Sequence, residues 1–380
     1  MYSKRNIRIL LAIQCLQGMT FYTSISALYR QAAGISLFEM SVIESLSLIA
    51  SLLLEVPWGI VAERIGYRRT LIVSNGVFFL SKLVFWRASS FGGFLIERLL
   101  LSAAIAGLSG VTESYIYLSC DKGESQRVFG HYAVAGHIGA LFASFVFMAF
   151  IGSRYRLSAL LTAITYALAA ALSPLLTEVR PPKKERENVL ASFGQSALLL
   201  VRTRGLLPLV LCGAVFFEVC RMTTVFYSQL QFVRAGLDDR MIGFAGILMT
   251  LAMFASARSD HLTKRLNERR FGTLLIGLSL LSFVLLALTK SALIAVLSSI
   301  ALCAATALFS PLYSAMENRL IVTEDRATAL STCGLLVDGV CVALDPILGR
   351  AVDANLTLAF LLSAGLCLAS AVLYCAASRA

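Results

Sequence analysis

Several charged side chains lie inside stretches that are otherwise apolar. Glu218 and Arg221 fall around and just past the middle of a run near 206–229, Asp338 near the middle of 328–348, and His137 two-fifths along 129–152. Arg98 and Lys82 lie in the runs near 94–118 and 70–89. In hydrocarbon an ionisable group is costly, so it faces a cavity or a partner. Three residues apart, Glu218 and Arg221 share a helical face and either neutralise each other for packing or present charge to a solute. Asp338 is a candidate proton carrier, because burial penalises its charged form. A histidine can titrate near neutrality without that help, which makes His137 a second candidate. Both have a structural alternative, a buried hydrogen bond. Lys82 reads as half of a structural pair with Glu44. Glu44 and Glu97 read as solvated residues near the outer surface, and Asp345, just before Pro346, as a helix-terminus residue.

Enzymatic chemistry has no footing in these residues. The chain contains no Gly-x-Ser-x-Gly and no Gly-rich phosphate loop with its Lys. Of the nine cysteines only Cys120 falls outside an apolar run; no Cys-x-x-Cys occurs, and no His stands at metal-ligand spacing from a Cys. The expectation is a non-enzymatic protein with no metal and no cofactor. Asn355-Leu356-Thr357 matches a glycosylation sequon, a short pattern of little weight.

Composition identifies the solvent around these charges. Of 380 residues 58% are hydrophobic and 14% charged, with a mean hydropathy of +0.79. Soluble domains are about a quarter charged, so this chain belongs in a bilayer. A nucleic-acid partner and a secreted disulfide scaffold both fit poorly. Apolar runs lie near 7–29, 38–62, 70–89, 94–118, 129–152 and 156–177. A second set lies near 206–229, 241–257, 272–289, 292–315, 328–348 and 356–376. Twelve crossings of about 20 residues each leave no room for a large soluble domain. With the N-terminus inside, the loops carry 22 Lys and Arg on that side and 8 on the other, Arg30 among the 8. The positive-inside rule then puts both termini in the cytoplasm and accounts for the net charge of +11. The basic lead before the first run reads as the start of an uncleaved span.

The longest break in hydrophobicity is 178–205, charged and broken by Pro181-Pro182. It predicts a six-helix bundle over 1–178, a cytoplasmic linker over 179–205 with an amphipathic helix at 189–201, and a second bundle over 206–380. The halves repeat. Ala62-Glu63-Arg64-Ile65-Gly66-Tyr67-Arg68-Arg69 returns 201 residues later as Thr263-Lys264-Arg265-Leu266-Asn267-Glu268-Arg269-Arg270. Asn267 replaces Gly66, and Asn is the residue after Gly most tolerant of a left-handed turn. The same offset sets Glu218 opposite Gln17, Arg221 opposite Thr20 and Asp338 opposite His137.

The loop Gly59 to Arg69 resembles the signature of the major facilitator superfamily, a glycine, an acidic-Arg pair, then Gly and two basic residues. Its position between spans two and three, the six-plus-six arrangement and the decayed second copy resemble the family over the whole chain. Asp121-Lys122-Gly123-Glu124-Ser125-Gln126-Arg127 resembles the family's Asp…Arg connection after span four. Glu55-Val56-Pro57-Trp58-Gly59 resembles an entry sequence of one bacterial branch. The resemblance implies an all-α polytopic fold of twelve transmembrane helices in two pseudo-symmetric bundles. It also implies a conformational latch at Gly59, Glu63, Arg64, Gly66, Arg68 and Arg69, and a cavity lined by spans one, four, seven and ten. In the latch, Gly59 allows close helix approach, Gly66 the turn, and Glu63 caps a helix N-terminus or pairs with an Arg; plain anchoring at the membrane surface is the alternative. Three features depart from the family: Glu63 replaces its usual Asp, Arg98 lacks the Gln-Gly that follows in span four, and Gly136-His137-Ile138-Gly139 lacks the proline of its antiporters.

The sequence therefore predicts a secondary transporter of the plasma (inner) membrane, working by alternating access as a monomer. The first reading is proton-coupled efflux of small amphipathic or drug-like compounds, with Glu218, Arg221, Asp338, His137, Gln17 and Arg98 as substrate or proton residues. The alternative is proton-coupled symport of a small organic anion, using Arg98 and Arg221. Outside transport, the chain would be a sensor or lipid-handling protein on the same fold.

Overall fold

A computed structural model describes residues 2–109, 111–120, 125–179, 203–321 and 326–378. Among them there are helices and no strands. The first half holds α1 (Tyr2–Gly18), α2 (Ser26–Ala32), α3 (Leu37–Ile65), α4 (Tyr67–Arg87), α5 (Phe91–Leu108), α6 (Val111–Ser119), α7 (Ser125–Val146) and α8 (Tyr155–Leu172). The second half holds α9 (Leu206–Met222), α10 (Ser228–Arg234), α11 (Asp239–Ala252), α12 (Ser259–Leu266), α13 (Glu268–Leu288), α14 (Ala292–Leu320), α15 (Arg326–Ala354) and α16 (Leu356–Ala377). Ten helical stretches among the described residues are long and apolar enough to cross a membrane. The 21-residue α4 and 29-residue α15 also have the length, which is consistent with twelve crossings. The segment 180–202, with the expected amphipathic helix, lies outside the described residues.

The chain forms two compact units. One comprises Met1–Ile35, Leu46–Lys184 and Asp239–Phe244; the other comprises Ser36–Ser45, Glu185–Asp238 and Ala245–Ala380. Thus α3 contributes its first turns to the second unit and its remainder to the first.

Glycine sets the tightest packing in the first unit. A Cβ at Gly18 would collide with the Gly136 carbonyl, and one at Gly139 with that of Cys15. Gly136-His137-Ile138-Gly139 is therefore where α7 lies backbone to backbone on α1, as small residues permit in lipid. Gly59 has no such role here, since a Cβ there would meet nothing within 4 Å. That corrects the expectation that it enables a close helix approach. In the second unit Tyr313 packs on Gly213 and Tyr374 on Gly272, where the Tyr374 hydroxyl donates to the Glu268 carbonyl (2.7 Å).

The repeated loop turns as its sequence requires. Gly66 has φ 88° and ψ 156°, and Asn267 has φ 71° and ψ 142°. Asn267 is the one non-glycine with positive φ among the described residues. Behind Gly66, Arg68 donates to the carbonyls of Leu176 and Pro174, where the last helical turn after α8 ends. A guanidinium at a helix C-terminus satisfies carbonyls that the helix leaves free. The second copy of the loop is tied differently, by a bidentate pair between Arg319 and Glu268 (2.9 and 2.7 Å).

Two stability differences follow. Gly139→Ala should lower unfolding stability in detergent by about 1–3 kcal/mol, because the methyl has nowhere to go. The same change at Gly277, where a Cβ meets open space, should be neutral or stabilising by about 0.5–1 kcal/mol. Asn267→Gly should raise stability by about 1 kcal/mol by removing positive-φ strain, whereas Gly66→Ala should lower it. Thermal unfolding of the four variants reads out all of these signs.

Candidate functional site

The charges of span seven do form a cluster, with a third member that the sequence concealed. Arg221 donates through Nε to Glu218 Oε2 (3.0 Å) and through a terminal nitrogen to Oε1 (2.7 Å). That same terminal nitrogen reaches both Asp345 oxygens at 3.2 and 3.4 Å. Asp345 and Glu218 are buried, while the Arg221 side chain keeps 37% of its surface exposed. Asp345 is well inside α15, which continues through Pro346 to Ala354. The helix-terminus assignment of Asp345 is thereby corrected. Pro346 removes one backbone donor without ending the helix, which neighbouring helices make tolerable in a membrane. Two carboxylates share one guanidinium, so with both ionised one negative charge is in excess. Glu44 is also buried and lies within electrostatic range of Arg221.

Asp338 lies two turns before Asp345 on α15 and is half-buried. His137 is exposed, on the same stretch of α7 whose glycines face α1.

Immediately after Arg221 the helix loosens into a π turn, Thr223–Tyr227. Thr224 Oγ1 donates to the Cys220 carbonyl (2.8 Å), Ser228 Oγ to Thr224 (3.0 Å) and Gln229 Nε2 to Val225 (2.6 Å). Side chains of the helix itself thus supply donors to its weakened ladder.

At the offset of 201 residues, span one is interrupted too. Helix α1 ends at Gly18, and a short 3₁₀ turn at Thr23–Ile25 leads into α2. Its freed backbone groups are taken up by α8. Phe21 N–H donates to Thr162 Oγ1 (3.0 Å), Thr165 Oγ1 donates to the Met19 carbonyl (3.3 Å), and the Tyr166 hydroxyl donates to the Gln17 carbonyl (2.7 Å). The Gln17 side chain donates to Asn75 Oδ1 of α4 (2.6 Å). Gln17 and Glu218, 201 residues apart, thus each make a polar contact beside a lesion in their own helix.

A second ionic cluster occupies the first unit. Glu97 Oε1 lies 3.4 Å from Lys82 Nζ, and Glu97 Oε2 lies 3.8 Å from Arg30 and 3.9 Å from Arg98. Glu97 is 1% exposed, so it is not a solvated outer residue, and it rather than Glu44 is the partner found for Lys82. Glu44 is buried as well. Arg30 belongs to α2 and is buried, so it drops out of the outer-loop charges. Aromatic rings complete the shell. Lys82 Nζ lies 5.4–5.9 Å from the ring centres of Phe78, Tyr166 and Tyr22, and Arg30 5.8 Å from those of Phe85 and Phe94. Such contacts soften the cost of desolvated cations. Arg98 is the least buried cation of the cluster, at 22% exposure.

Of the expected latch, Arg68 holds the end of span six as described, and Gly66 makes the turn. Arg64 and Arg69 are exposed. The side chains of Glu63 and Arg127 lie outside the described residues, as does the loop 121–124.

The first-unit cluster carries a prediction of its own. Glu97→Gln should destabilise the protein by about 3–5 kcal/mol, because it removes the carboxylate that three buried or half-buried cations face. Lys82→Met should cost clearly less, since Arg30 remains beside Glu97. Equal losses in thermal unfolding would show that Glu97 does not organise the cluster.

The family model of the Major Facilitator Superfamily matches residues 9–332. Among solved structures, a mutant form of the nucleoside transporter NupG is 17% identical, with a TM-score of 0.82 and 99% of both chains covered. A bacterial homologue of the human lysosomal transporter Spinster is 16% identical, with a TM-score of 0.78, covering 100% of this chain and 97% of that one. An auto-inhibited peptide transporter of the POT family is 16% identical, with a TM-score of 0.72, covering 99% of this chain and 97% of that one. Among curated proteins none matches the sequence. At such identities the structural likeness speaks for the fold alone.

Proposed function

The chain belongs to the major facilitator superfamily, and from that premise we propose that it is a proton-coupled secondary transporter that exports small amphipathic molecules. Membership of this transporter family and the apolar helices make it an integral membrane protein. One observation carries the finer reading. Glu218 and Asp345, both buried, share the single guanidinium of Arg221. A buried cluster with one negative charge in excess is neutralised by a proton or by a cationic solute, and exchange between the two couples their movements. The coupling carboxylates are then Glu218 and Asp345, with Asp345 taking the role that the sequence had suggested for Asp338. Glu44, Cys341 and Tyr227 lie within electrostatic range of Asp345 or Glu218 and tune the exchange.

The lesions in spans one and seven support alternating access, because interrupted membrane helices flank substrate and ion sites in transporters. The bundles are proposed to be 1–178 and 206–380, in a monomer of the plasma (inner) membrane with both termini cytoplasmic. The excess of Lys and Arg in alternate loops supports that orientation even without Arg30.

A second reading, symport of a small organic anion, draws on Arg98, the partly exposed cation beside Glu97. The two readings separate in one experiment. Thermal stabilisation is measured against ethidium, a neutral amphipath and a set of carboxylates at two pH values. Stabilisation by ethidium or the neutral compound that varies with pH, with the pH dependence but not the stabilisation lost in Asp345→Asn, supports export. Stabilisation by carboxylates that disappears in Arg98→Gln establishes the symporter instead. In proteoliposomes, Asp345→Asn should abolish dye transport driven by a pH gradient, by at least about tenfold, yet spare exchange of dye for dye. Unchanged uphill transport would remove Asp345 from coupling.

A further inference from the structure

A hydroxyl on a membrane helix commonly answers its own backbone by donating to the carbonyl four residues back. In the second unit Ser279 donates in this way to Leu275, Ser299 to Ala295 and Ser370 to Leu366, at 2.9–3.0 Å. Thr223 and Ser363 break the pattern. Neither hydroxyl has a hydrogen-bond partner among the described residues, and the same holds for the Tyr227 hydroxyl and for Gln231 Oε1. All four side chains are fully buried. Among the described residues of the second unit they are the only buried side-chain atoms left so.

They also lie together. Thr223, Tyr227 and Gln231 succeed one another by single turns along span seven, so they share a face. Span twelve (α16) packs antiparallel on that face. Tyr227 stands against Phe360 with ring centres 6.4 Å apart, while Cys220 is within electrostatic range of Cys367 and Cys212 of Cys375. One register satisfies all three pairs, and it sets Thr223 level with Ala364, beside Ser363.

The two ends of this polar column differ. At one, Tyr227 lies within electrostatic range of Glu218, Arg221 and Asp345. At the other, Gln231 Nε2 donates to the Thr289 carbonyl (2.8 Å), one residue before the exposed Lys290. A buried polar atom left unpaired costs more than the bond it forgoes. Folded proteins answer clusters of such atoms with ordered water, which needs two to four polar partners.

We propose that Thr223, Tyr227, Gln231 and Ser363 hold a column of ordered waters between spans seven and twelve, and that protons reach Glu218 and Asp345 along it, apart from the path of the solute. The waters are read from the unpaired oxygens alone; their proton traffic rests on the coupling reading above. A proton enters at the Gln231 end, each water or hydroxyl accepts one proton and passes on another, and the last gives one to a carboxylate. The column itself is left unchanged. Gln231 relays nothing and anchors the first water through Oε1.

Radiolytic footprinting of the full-length protein with mass spectrometry reads bound water, because hydroxyl radicals formed from it modify the nearest side chains. Tyr227 should be modified at least about fivefold faster than Tyr374, and Phe360 than Phe283. All four rings are fully buried, and the Tyr374 hydroxyl is already bonded within the protein. Thr223→Val combined with Ser363→Ala should bring Tyr227 and Phe360 down to the control rates. Rates equal to the controls, or unmoved by the double variant, would overturn the column. In proteoliposomes the double variant should slow dye transport driven by a pH gradient about threefold or more and leave dye-for-dye exchange unchanged. Fast labelling with proton-driven transport undiminished would overturn the route. Failure of the coupling reading shows separately, as uphill transport that Asp345→Asn leaves intact; it removes the route, and labelling still decides the waters.

Discussion

Hydrocarbon offers no hydrogen bonds, and this constraint governs the rest of the protein. Each backbone group released from a helix and each charge carried into the bilayer must find its partner within the chain. Span one shows what that requires. Between Gly18 and Thr23 the helix is interrupted, and Thr162, Thr165 and Tyr166, all on one stretch of α8, answer the amide and carbonyls set free. The contact of Gly18 and Cys15 with Gly136 and Gly139 places α7 against the segment that leads into this break. A wider spacing would leave the interruption less enclosed. Glycine on one side and hydroxyls on the other thus make the same irregularity possible.

Span seven meets the constraint by another route. Its lesion is a π turn, which weakens the ladder instead of breaking it, and Thr224, Ser228 and Gln229 of the same helix supply the donors. The irregularities fall at the same offset in the two halves, since Tyr22 and Thr223 are 201 residues apart, but the halves solve it separately. The charges diverge likewise. Gln17 meets an amide on α4, whereas Glu218 meets Arg221 and through it Asp345 on α15. The uncharged Gln17–Asn75 contact is suited to holding shape, whereas the Glu218–Arg221–Asp345 contact concentrates charge.

Features set by periodicity and by the identity of single residues were open to reading in the sequence. The helical architecture, the repeat, and the positive φ at Gly66 and Asn267 all belong to this group. So did the Glu218–Arg221 contact, because a spacing of three decides it locally. Partners on other helices were not legible. Lys82 could be matched with Glu44 or Glu97 only by knowing how α3, α4 and α5 pack, and 15 residues of separation give no hint of contact. Asp345 was obscured by Pro346, which reads as a helix end in water and is tolerated in a packed membrane helix. One signal was available: Asp338 and Asp345 are seven apart, so they fall on nearly one face of α15, and a run with two acids on one face is unusual for a packing helix. Arg30 was hidden for a related reason, since a short helix after an interrupted span looks like a loop.

The same constraint explains where the protein is able to move. In the buried interior, releasing a polar contact leaves donors and acceptors unmet, so Glu97 with its cations and the α8 hydroxyls at span one act as fixed points. At the water-exposed ends the alternative partner is solvent, and contacts such as Arg319 with Glu268 exchange at little net cost. The Arg221 triad is intermediate: its carboxylates are buried but its guanidinium keeps more than a third of its surface. On the proposed reading, a proton or cationic solute entering there would substitute for part of the Arg221 contact without stranding a charge. Rigid interior, exchangeable ends and one half-open charged cluster are what a carrier needs in order to change state without exposing a bare charge to lipid.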